Sequence, residues 1–399
     1  MTNQAECTKG ALALPPVALK TLLGGLSVRE FLAEYWQKKP LLVRQAVPGF
    51  QGLVSRDELF ALARDADVES RLVRCQNGQW SVQHGPQQKK NLQVRNAPVP
   101  WTVLVQGLNL WRDEADRLLR HFSFIPYARL DDLMVSYAVN GGGVGPHFDD
   151  YDVFLLQGIG RRRWQIANQS DRTIIEGAPL RILKDFRPVH DWVLETGDLL
   201  YLPPHWAHNG IAIGECMTYS VGFRSPSFEE LGREFLYWMA ERQSLPGIYA
   251  DPGLKVQKRP ARIDPMMVAK ITQMLANIRW QRSDVAAFLG EYLSEPKPQI
   301  FFEPPENPPA QEDFARQVAA HGVRLHRKSL MLWTDAGIYL NGEKLDCSGL
   351  NSAERELLTR FADTRTLPPT ACSPALLELL YGMLVDGFLN EIDKDSAEE

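Results

Sequence analysis

Apolar positions change their spacing several times along the chain, and each change marks a boundary. The first 25 residues are weakly patterned and read as a peripheral segment. From Ser27 the spacing is helical: Ser27 suits an N-cap, Glu30 stands three residues on, and Phe31, Leu32 and Tyr35 form one apolar face. After Trp36-Gln-Lys-Lys-Pro40, the run Leu41-Leu-Val-Arg44 predicts a short strand, and helical spacing returns over 55–66 and 102–121. Between about 130 and 225 the pattern turns β-rich. Runs at Leu133–Val139, Val153–Gln157, Arg162–Ile166, Trp192–Leu194, Leu199–Leu202 and Met217–Phe223 alternate with Gly, Pro and Asp turns, which predicts a β-sandwich or small barrel. Two helical patterns follow at 227–243 and 264–293. Residues 294–311 hold six prolines, too many for a helix or central strand, and read as a linker. A smaller module closes the chain, with strands near 323–333 and 337–340 and helices near 352–362 and 374–386. The predicted class is α+β, without internal repeats.

One stretch of the β-rich region carries candidate metal chemistry. In Gly141-Gly-Gly-Val-Gly-Pro-His147-Phe-Asp149 the histidine and aspartate are two residues apart. Side chains at i and i+2 of a strand share a face, so His147 and Asp149 can both face a barrel interior while Phe148 points away. The glycines before them let the backbone turn tightly. A third ligand must come from a distant strand, and Leu199-Leu-Tyr-Leu-Pro-Pro-His205-Trp-Ala-His208 offers two. His205 directly follows the Pro-Pro turn. His208 opens a strand-like run that fixes its direction, so His208 is favoured. Two imidazoles and one carboxylate leave three metal positions open, as in non-haem iron(II) oxygenases.

Composition narrows the setting. A net charge of −5 and a pI near 6.0 give no overall pull towards nucleic acid or anionic membrane. Five scattered cysteines (Cys7, Cys75, Cys216, Cys347, Cys372) without a C-x-x-C pair argue against a disulfide framework or zinc site and suit a reducing cytoplasm. No secretory signal is visible, and no apolar run approaches the roughly 18 residues of a membrane span. A cytoplasmic protein is expected.

These residues carry a family likeness. The sequence resembles the Jumonji-C, cupin-type oxygenases, and within them the bacterial ribosomal oxygenases. The matching pieces are Trp36-Gln-Lys-Lys-Pro-Leu-Leu-Val-Arg44, Asp131-Asp-Leu-Met-Val-Ser136, Gly141–Asp149, Tyr151-Asp-Val-Phe154, Gly158-x-Gly-Arg-Arg-Arg-Trp164, Glu195-Thr-Gly-Asp-Leu-Leu-Tyr-Leu-Pro-Pro204, His208 and Tyr219-Ser-Val-Gly-Phe-Arg224. The likeness is dense to about residue 225 and architectural beyond. It implies a double-stranded β-helix, or cupin jelly roll, over 26–226, and a helical dimerisation region over 227–293. A winged-helix-like module would then occupy 312–399, after the linker. It further implies iron(II), 2-oxoglutarate as co-substrate and dioxygen. In bacterial members the substrate is an arginine of a large-subunit ribosomal protein, the one numbered sixteen, hydroxylated at the β-carbon.

An acidic co-substrate needs a cation, ideally a bidentate arginine. Trp164 and Ile166 form the apolar phase that should face inward; Arg162 shares it, while Arg161 and Arg163 go outward with Gln165. Arg162 is therefore the expected carboxylate anchor, and the family places its co-substrate arginine there. Ser136 is placed to add a hydroxyl donor, as the family match supports, and Thr218 and Ser220 have the phase to line the same pocket. The acidic, aromatic Asp150-Tyr151-Asp152 suits a guanidinium, with Tyr151 or Asp152 as the substrate contact; Asp150 fits a solvated turn equally well. Trp80, Trp101, Trp111 and Trp192 read as packing residues, and His84 and His121 as structural groups. From residue 310 on, fifteen acidic residues face nine basic ones, which disfavours phosphate-driven binding and suits protein docking. The resemblance implies a ribosomal protein and a second copy of the chain as partners; the charge balance and the lack of a long apolar run predict no nucleic acid or membrane partner. Other readings are a histidyl hydroxylase, a lysine demethylase, or a cupin that binds metal without turnover.

Overall fold

The computed structural model describes residues 13–95 and 97–392. Residues 1–12 of the peripheral segment, Cys7 among them, and residues 393–399 of the C-terminal module lie outside the described residues. The chain forms two compact units that meet in sequence at Ser225–Pro226.

The first unit begins with α1 (Leu19–Leu22) and α2 (Val28–Glu34), the latter closed by a capping box between Ser27 and Glu30. Strand β1 (Leu41–Val43), helix α3 (Arg56–Leu62), hairpin β2 (Ser70–Gln76) and β3 (Gln79–His84), strand β4 (Trp101–Val105) and helix α4 (Asp113–Arg120) follow. The jelly roll is completed by β5 (Leu130–Ala138), β6 (Val153–Ala167), β7 (His190–Leu194), β8 (Leu199–Leu202) and β9 (Ala207–Phe223). All pairings are antiparallel, in the order β1-β8-β6-β9-β5-β4-β2-β3, with β7 on the second half of β6. Strands β6 and β9 pair from Val153↔Gly222 to Ala167↔Ala207, with register shifts between Gln157 and Arg161. At these shifts the strands bend from one layer to the other. Gly160, with φ +66°, sits in the bend, where a Cβ would collide with the Glu215 carbonyl oxygen.

Both faces of the central strands are buried, which explains their unbroken apolar runs. Phe154, Leu156, Leu199 and Tyr201 face the helices, where Phe31 lies 5.0 Å from Tyr201 and Phe122 lies 4.6 Å from Phe154. Val153, Leu155, Leu200 and Leu202 pack with Trp164 and Ile166 inside the roll.

Several expectations are corrected here. Residues 102–105 are strand, not helix: Trp101-Thr-Val-Leu-Val is buried throughout, so it has no period to read. The β2–β3 hairpin adds two strands to the predicted pattern, and its turn, Asn77-Gly78 with both φ positive, is a strong hairpin signal. Val153–Gln157 and Arg162–Ile166 are one bent strand, and Met217–Phe223 is only the second half of β9.

The second unit starts with α5 (Phe228–Arg242). The helical pattern at 264–293 is two helices, α6 (Pro265–Leu275) and α7 (Arg282–Ser294). After the proline-rich stretch come α8 (Gln311–His321), which the spacing did not reveal, β10 (Val323–Leu325), β11 (Met331–Thr334), β12 (Gly337–Leu340), β13 (Glu343–Lys344), α9 (Ser352–Thr364), β14 (Thr366–Leu367), α10 (Pro374–Val385) and β15 (Leu389–Glu391). A sheet β14-β10-β15 packs with α8, α9 and α10, and β11-β12-β13 forms the wing. Helix α7 lies on the wing, where Gly290 leaves room for the Tyr339 ring. The proline-rich stretch is not a free tether: Phe302 packs 4.8 Å from Phe388, and Lys328 Nζ donates to the Phe301 carbonyl at 2.9 Å.

Gly160→Ala should lower the unfolding free energy of the first unit by about 2 kcal/mol or more, since it combines a left-handed φ with a backbone collision. Gly232→Ala, in the open interior of α5, should be neutral or stabilising by up to about 1 kcal/mol. Urea unfolding of both variants measures the contrast.

Candidate metal and co-substrate site

Strand β5 leaves the roll at Ala138, and the loop that returns to β6 carries His147 and Asp149. This segment is extended without being a regular strand; it meets the roll through one bridge to β9. The His147 amide donates to the His208 carbonyl at 3.0 Å, and the His208 amide donates to the His147 carbonyl at 2.9 Å. The bridge sets the two rings 4.2 Å apart. Asp149 lies across from both, with Oδ1 3.8 Å from His147 Nε2 and Oδ2 3.5 Å from His208 Nε2. One nitrogen from each ring and one carboxylate oxygen converge within 4.8 Å, the only such cluster of three or more metal-binding side chains among the described residues.

The protonation of both rings is dictated by their neighbours. His147 Nδ1 lies 2.9 Å from the Gly145 carbonyl oxygen and His208 Nδ1 lies 3.0 Å from that of Trp206. A carbonyl only accepts, so each Nδ1 carries a proton and each Nε2 is the nitrogen turned towards Asp149. Burial, helped by His147 and opposed by Asp149, pushes His208 down to about 4, so it is neutral at pH 7. Gly145, with φ +81°, makes the turn that brings its carbonyl under His147; a Cβ there would sit 2.7 Å from both Trp80 and Ile182. This donor set fits a divalent transition metal with open positions.

The triad lines a cavity of about 490 Å³ together with Arg162, Ser136 and Ser220. Arg162 is only 4% exposed, as its inward phase requires, while Arg161 and Arg163 face out and Arg163 pairs with Asp191 at 2.5 Å. Arg162 Nη1 donates to Ser136 Oγ at 3.0 Å and Thr218 Oγ1 at 3.3 Å, and Thr218 in turn donates to Gln157 Oε1 at 3.0 Å. Thr218 thus stands behind Arg162 and steadies it, whereas Ser220 of the same phase reaches the cavity wall. The Gln157 link was invisible in sequence, because it arises where β6 bends. Arg162 Nε has no partner, and no carboxylate of the described residues pairs with this guanidinium.

The substrate end needs one correction, and the geometry decides between the two candidate histidines. Asp152 does not reach the cavity. It is fully buried, accepting from Tyr201 Oη at 2.6 Å and Gln37 Nε2 at 3.0 Å, with Arg129 3.7 Å away, and burial raises its carboxyl. Strand parity explains this, since the chain re-enters β6 there with Asp152 on the helix-facing side. Tyr151, 40% exposed, does line the cavity. His205, with φ +71°, points outward to Asp150 at 3.5 Å, and its amide donates to the Asp149 carbonyl at 2.9 Å; His208 is the histidine in the cluster.

A jelly roll holding two histidines and a carboxylate beside a buried arginine defines a metal-dependent oxygenase of the cupin class. Comparison with known proteins makes this specific. A JmjC domain matches residues 117–231, and a ROXA-like winged helix matches 277–390. The ribosomal protein uL16 3-hydroxylase of Escherichia coli is 37% identical over 323 residues, 79% of this chain and 85% of that protein. A probable ribosomal oxygenase of Haemophilus influenzae is 43% identical over half of each chain. Among solved structures, the Escherichia coli ribosomal oxygenase YcfD in complex with cobalt and 2-oxoglutarate superposes with TM-score 0.76 at 33% identity, covering 92% of this chain and 98% of that one. The chain belongs to the JmjC-domain ribosomal oxygenases.

Replacing His208 with Ala should weaken manganese(II) binding at least about 100-fold, as loss of a ligand does, while His205→Ala should leave it within about threefold. Calorimetric titration of each variant checks the pair.

Proposed function

We propose that this chain is an iron(II)- and 2-oxoglutarate-dependent hydroxylase that modifies the β-carbon of an arginine side chain in ribosomal protein uL16. One observation carries the reading: a buried guanidinium without a carboxylate partner shares a cavity with a free two-histidine, one-carboxylate set. An unpaired buried charge costs several kcal/mol. A structural metal site needs no such cation, whereas a dicarboxylate bound between metal and arginine uses both ends of the cavity. The relative's printed activity, 3-hydroxylation of uL16, supports the substrate.

In this reading His147, Asp149 and His208 hold the metal from one side. Arg162, steadied by Thr218 and joined by Ser136, holds the distal carboxylate of the co-substrate. The bound metal, co-substrate and dioxygen supply the oxidising power, with 2-oxoglutarate leaving as succinate and carbon dioxide while one oxygen atom enters a substrate C–H bond. The apolar wall of Val153, Leu155 and Trp164 keeps water from the reacting atoms. Tyr151 at the mouth offers a ring face to an incoming guanidinium.

We further propose that it works as a homodimer in the cytoplasm. The segment after the roll exposes Phe228, Leu236, Tyr237, Ile248, Val256 and Met266, and α6 buries none of its residues. So much exposed apolar surface suits a second copy of the chain. No helix of the described residues is long and apolar enough to cross a membrane.

Incubation with iron(II), 2-oxoglutarate, oxygen and a uL16 peptide should release succinate and add one oxygen atom to a single arginine by mass spectrometry. Hydroxylated histidine or a demethylated lysine in place of arginine would move the assignment to another substrate, and absence of any turnover would reduce the site to a binding module. Arg162→Ala should lower 2-oxoglutarate affinity at least about 100-fold without loss of metal, since it removes a charge-assisted pair. Analytical ultracentrifugation should give about twice the chain mass of 45.1 kDa, and Leu236→Glu with Tyr237→Glu should shift it towards monomer.

A further inference from the structure

Three polar side chains stand side by side across the sheet of the roll. Ser136 on β5 is paired with Thr218 on β9, and Thr218 is paired with Gln157 on β6. All three are buried, Gln157 completely. Strand pairing uses only the backbone, and burying a polar side chain gains nothing unless its partners are arranged for it. Ser136 and Thr218 are explained by their contacts with Arg162. Gln157 does not touch that guanidinium, and its three hydrogen bonds show what it does instead.

The orientation of the Gln157 amide follows from its neighbours. One end lies 2.9 Å from the Ile159 carbonyl oxygen and 3.2 Å from that of Met217. Carbonyls only accept, so this end is Nε2 and donates to both. The other end, Oε1, accepts from Thr218 Oγ1 at 3.0 Å. A threonine hydroxyl has a single hydrogen, and Gln157 takes it. Towards Arg162, Thr218 therefore presents lone pairs alone, 3.3 Å from Nη1. Ser136 Oγ accepts from the same Nη1 at 3.0 Å. Two acceptors thus hold one nitrogen of the guanidinium, while Nη2 makes no hydrogen bond to a described residue.

We propose that Gln157 is a positioning residue for co-substrate binding: by keeping the Thr218 hydroxyl an acceptor, it fixes Arg162 through Nη1 and leaves Nη2 to the distal carboxylate of 2-oxoglutarate. The proposal rests on the co-substrate reading given above. A glutamine present only to join the strands where they bend would be satisfied by its two carbonyl contacts. The third contact, to Thr218, is the one that leads to the site. Without it the hydroxyl can rotate, and a guanidinium not already held must be ordered when the ligand binds, which weakens the complex.

The test is Gln157→Met, which keeps the length of the side chain and removes its acceptor. Calorimetry on the manganese(II)-loaded protein without oxygen should show the dissociation constant of 2-oxoglutarate rising about fivefold to tenfold, the scale of one hydrogen bond to a charged group. Affinity for manganese(II), and for pyruvate, which has the same chelating end and no distal carboxylate, should stay within about twofold, since neither uses Arg162. Thr218→Val should give the same pattern, and Thr218→Ser, which keeps the hydroxyl, should restore what Thr218→Val loses. Combining Gln157→Met with Thr218→Val should add no more than about twofold, because the first acts through the second. Unchanged 2-oxoglutarate affinity in Gln157→Met overturns the proposal. Equal losses for 2-oxoglutarate and pyruvate also overturn it and make Gln157 a structural group, and so does full additivity with Thr218→Val. Wild-type protein that binds no 2-oxoglutarate removes the underlying reading of the site instead. If Gln157→Met does not fold, Thr218→Val decides, and unchanged 2-oxoglutarate affinity there overturns the proposal.

Discussion

The long antiparallel pairing of β6 with β9 is the constraint on which the site depends. These strands run through both layers of the roll and place His208 and Arg162 by their register. His208 opposes Ile166 and Arg162 opposes Ala212, four residues further along, so the backbones that carry them stand about 13 Å apart at the usual rise per residue. From those anchors an imidazole and a guanidinium reach inward and leave room for a small dianion. A one-residue slip would turn Arg162 to solvent and bring Arg161 or Arg163 inside. The bend at Gln157–Arg161 is what allows the same strands to supply a helix-facing core at Phe154 and a cavity wall at Trp164.

Charge is disposed by the same geometry. Asp149 and Asp152 are three residues apart and serve opposite ends of the fold. Asp149 remains at the cavity with its oxygens towards two imidazoles. Asp152 is spent on Tyr201 and Gln37, tying the return of the chain to the segment that follows α2. His208, neutral because burial lowers its pKa, and the hydrogen-bonded Arg162, without a carboxylate partner, stand at the two ends of the cavity that the proposed function assigns to metal and carboxylate. In the proposed reading, a dicarboxylate is selected by one buried cation at a fixed distance from the metal-binding cluster.

Much of this was legible in the chain before folding. Period two placed Arg162, Trp164 and Ile166 on one face, and the structure keeps all three inside. The H-x-D pair and His208 were found from spacing, although the segment that holds the pair proved to be an extended loop with one bridge. What failed did so for identifiable reasons. Trp101–Val105 is buried on every side and carries no alternation. Asp152 looked like a substrate contact because an acid beside a tyrosine is ambiguous until its face is known. Residues 294–311 have a linker's composition, yet Phe302 has a packing partner that no local pattern can announce. The Thr218–Gln157 support of Arg162 joins residues 61 apart across a bend.

The backbone bridge between His147 and His208 has a consequence for the history of such folds. The two histidines are held together by their own amides and carbonyls, which any amino acid but proline at those positions would supply. Neither the bridge nor the roll around it is made of metal–ligand bonds. A descendant that lost one imidazole would therefore inherit an intact scaffold with its cavity in place, and the chemistry could disappear or be replaced without the architecture having to be rebuilt.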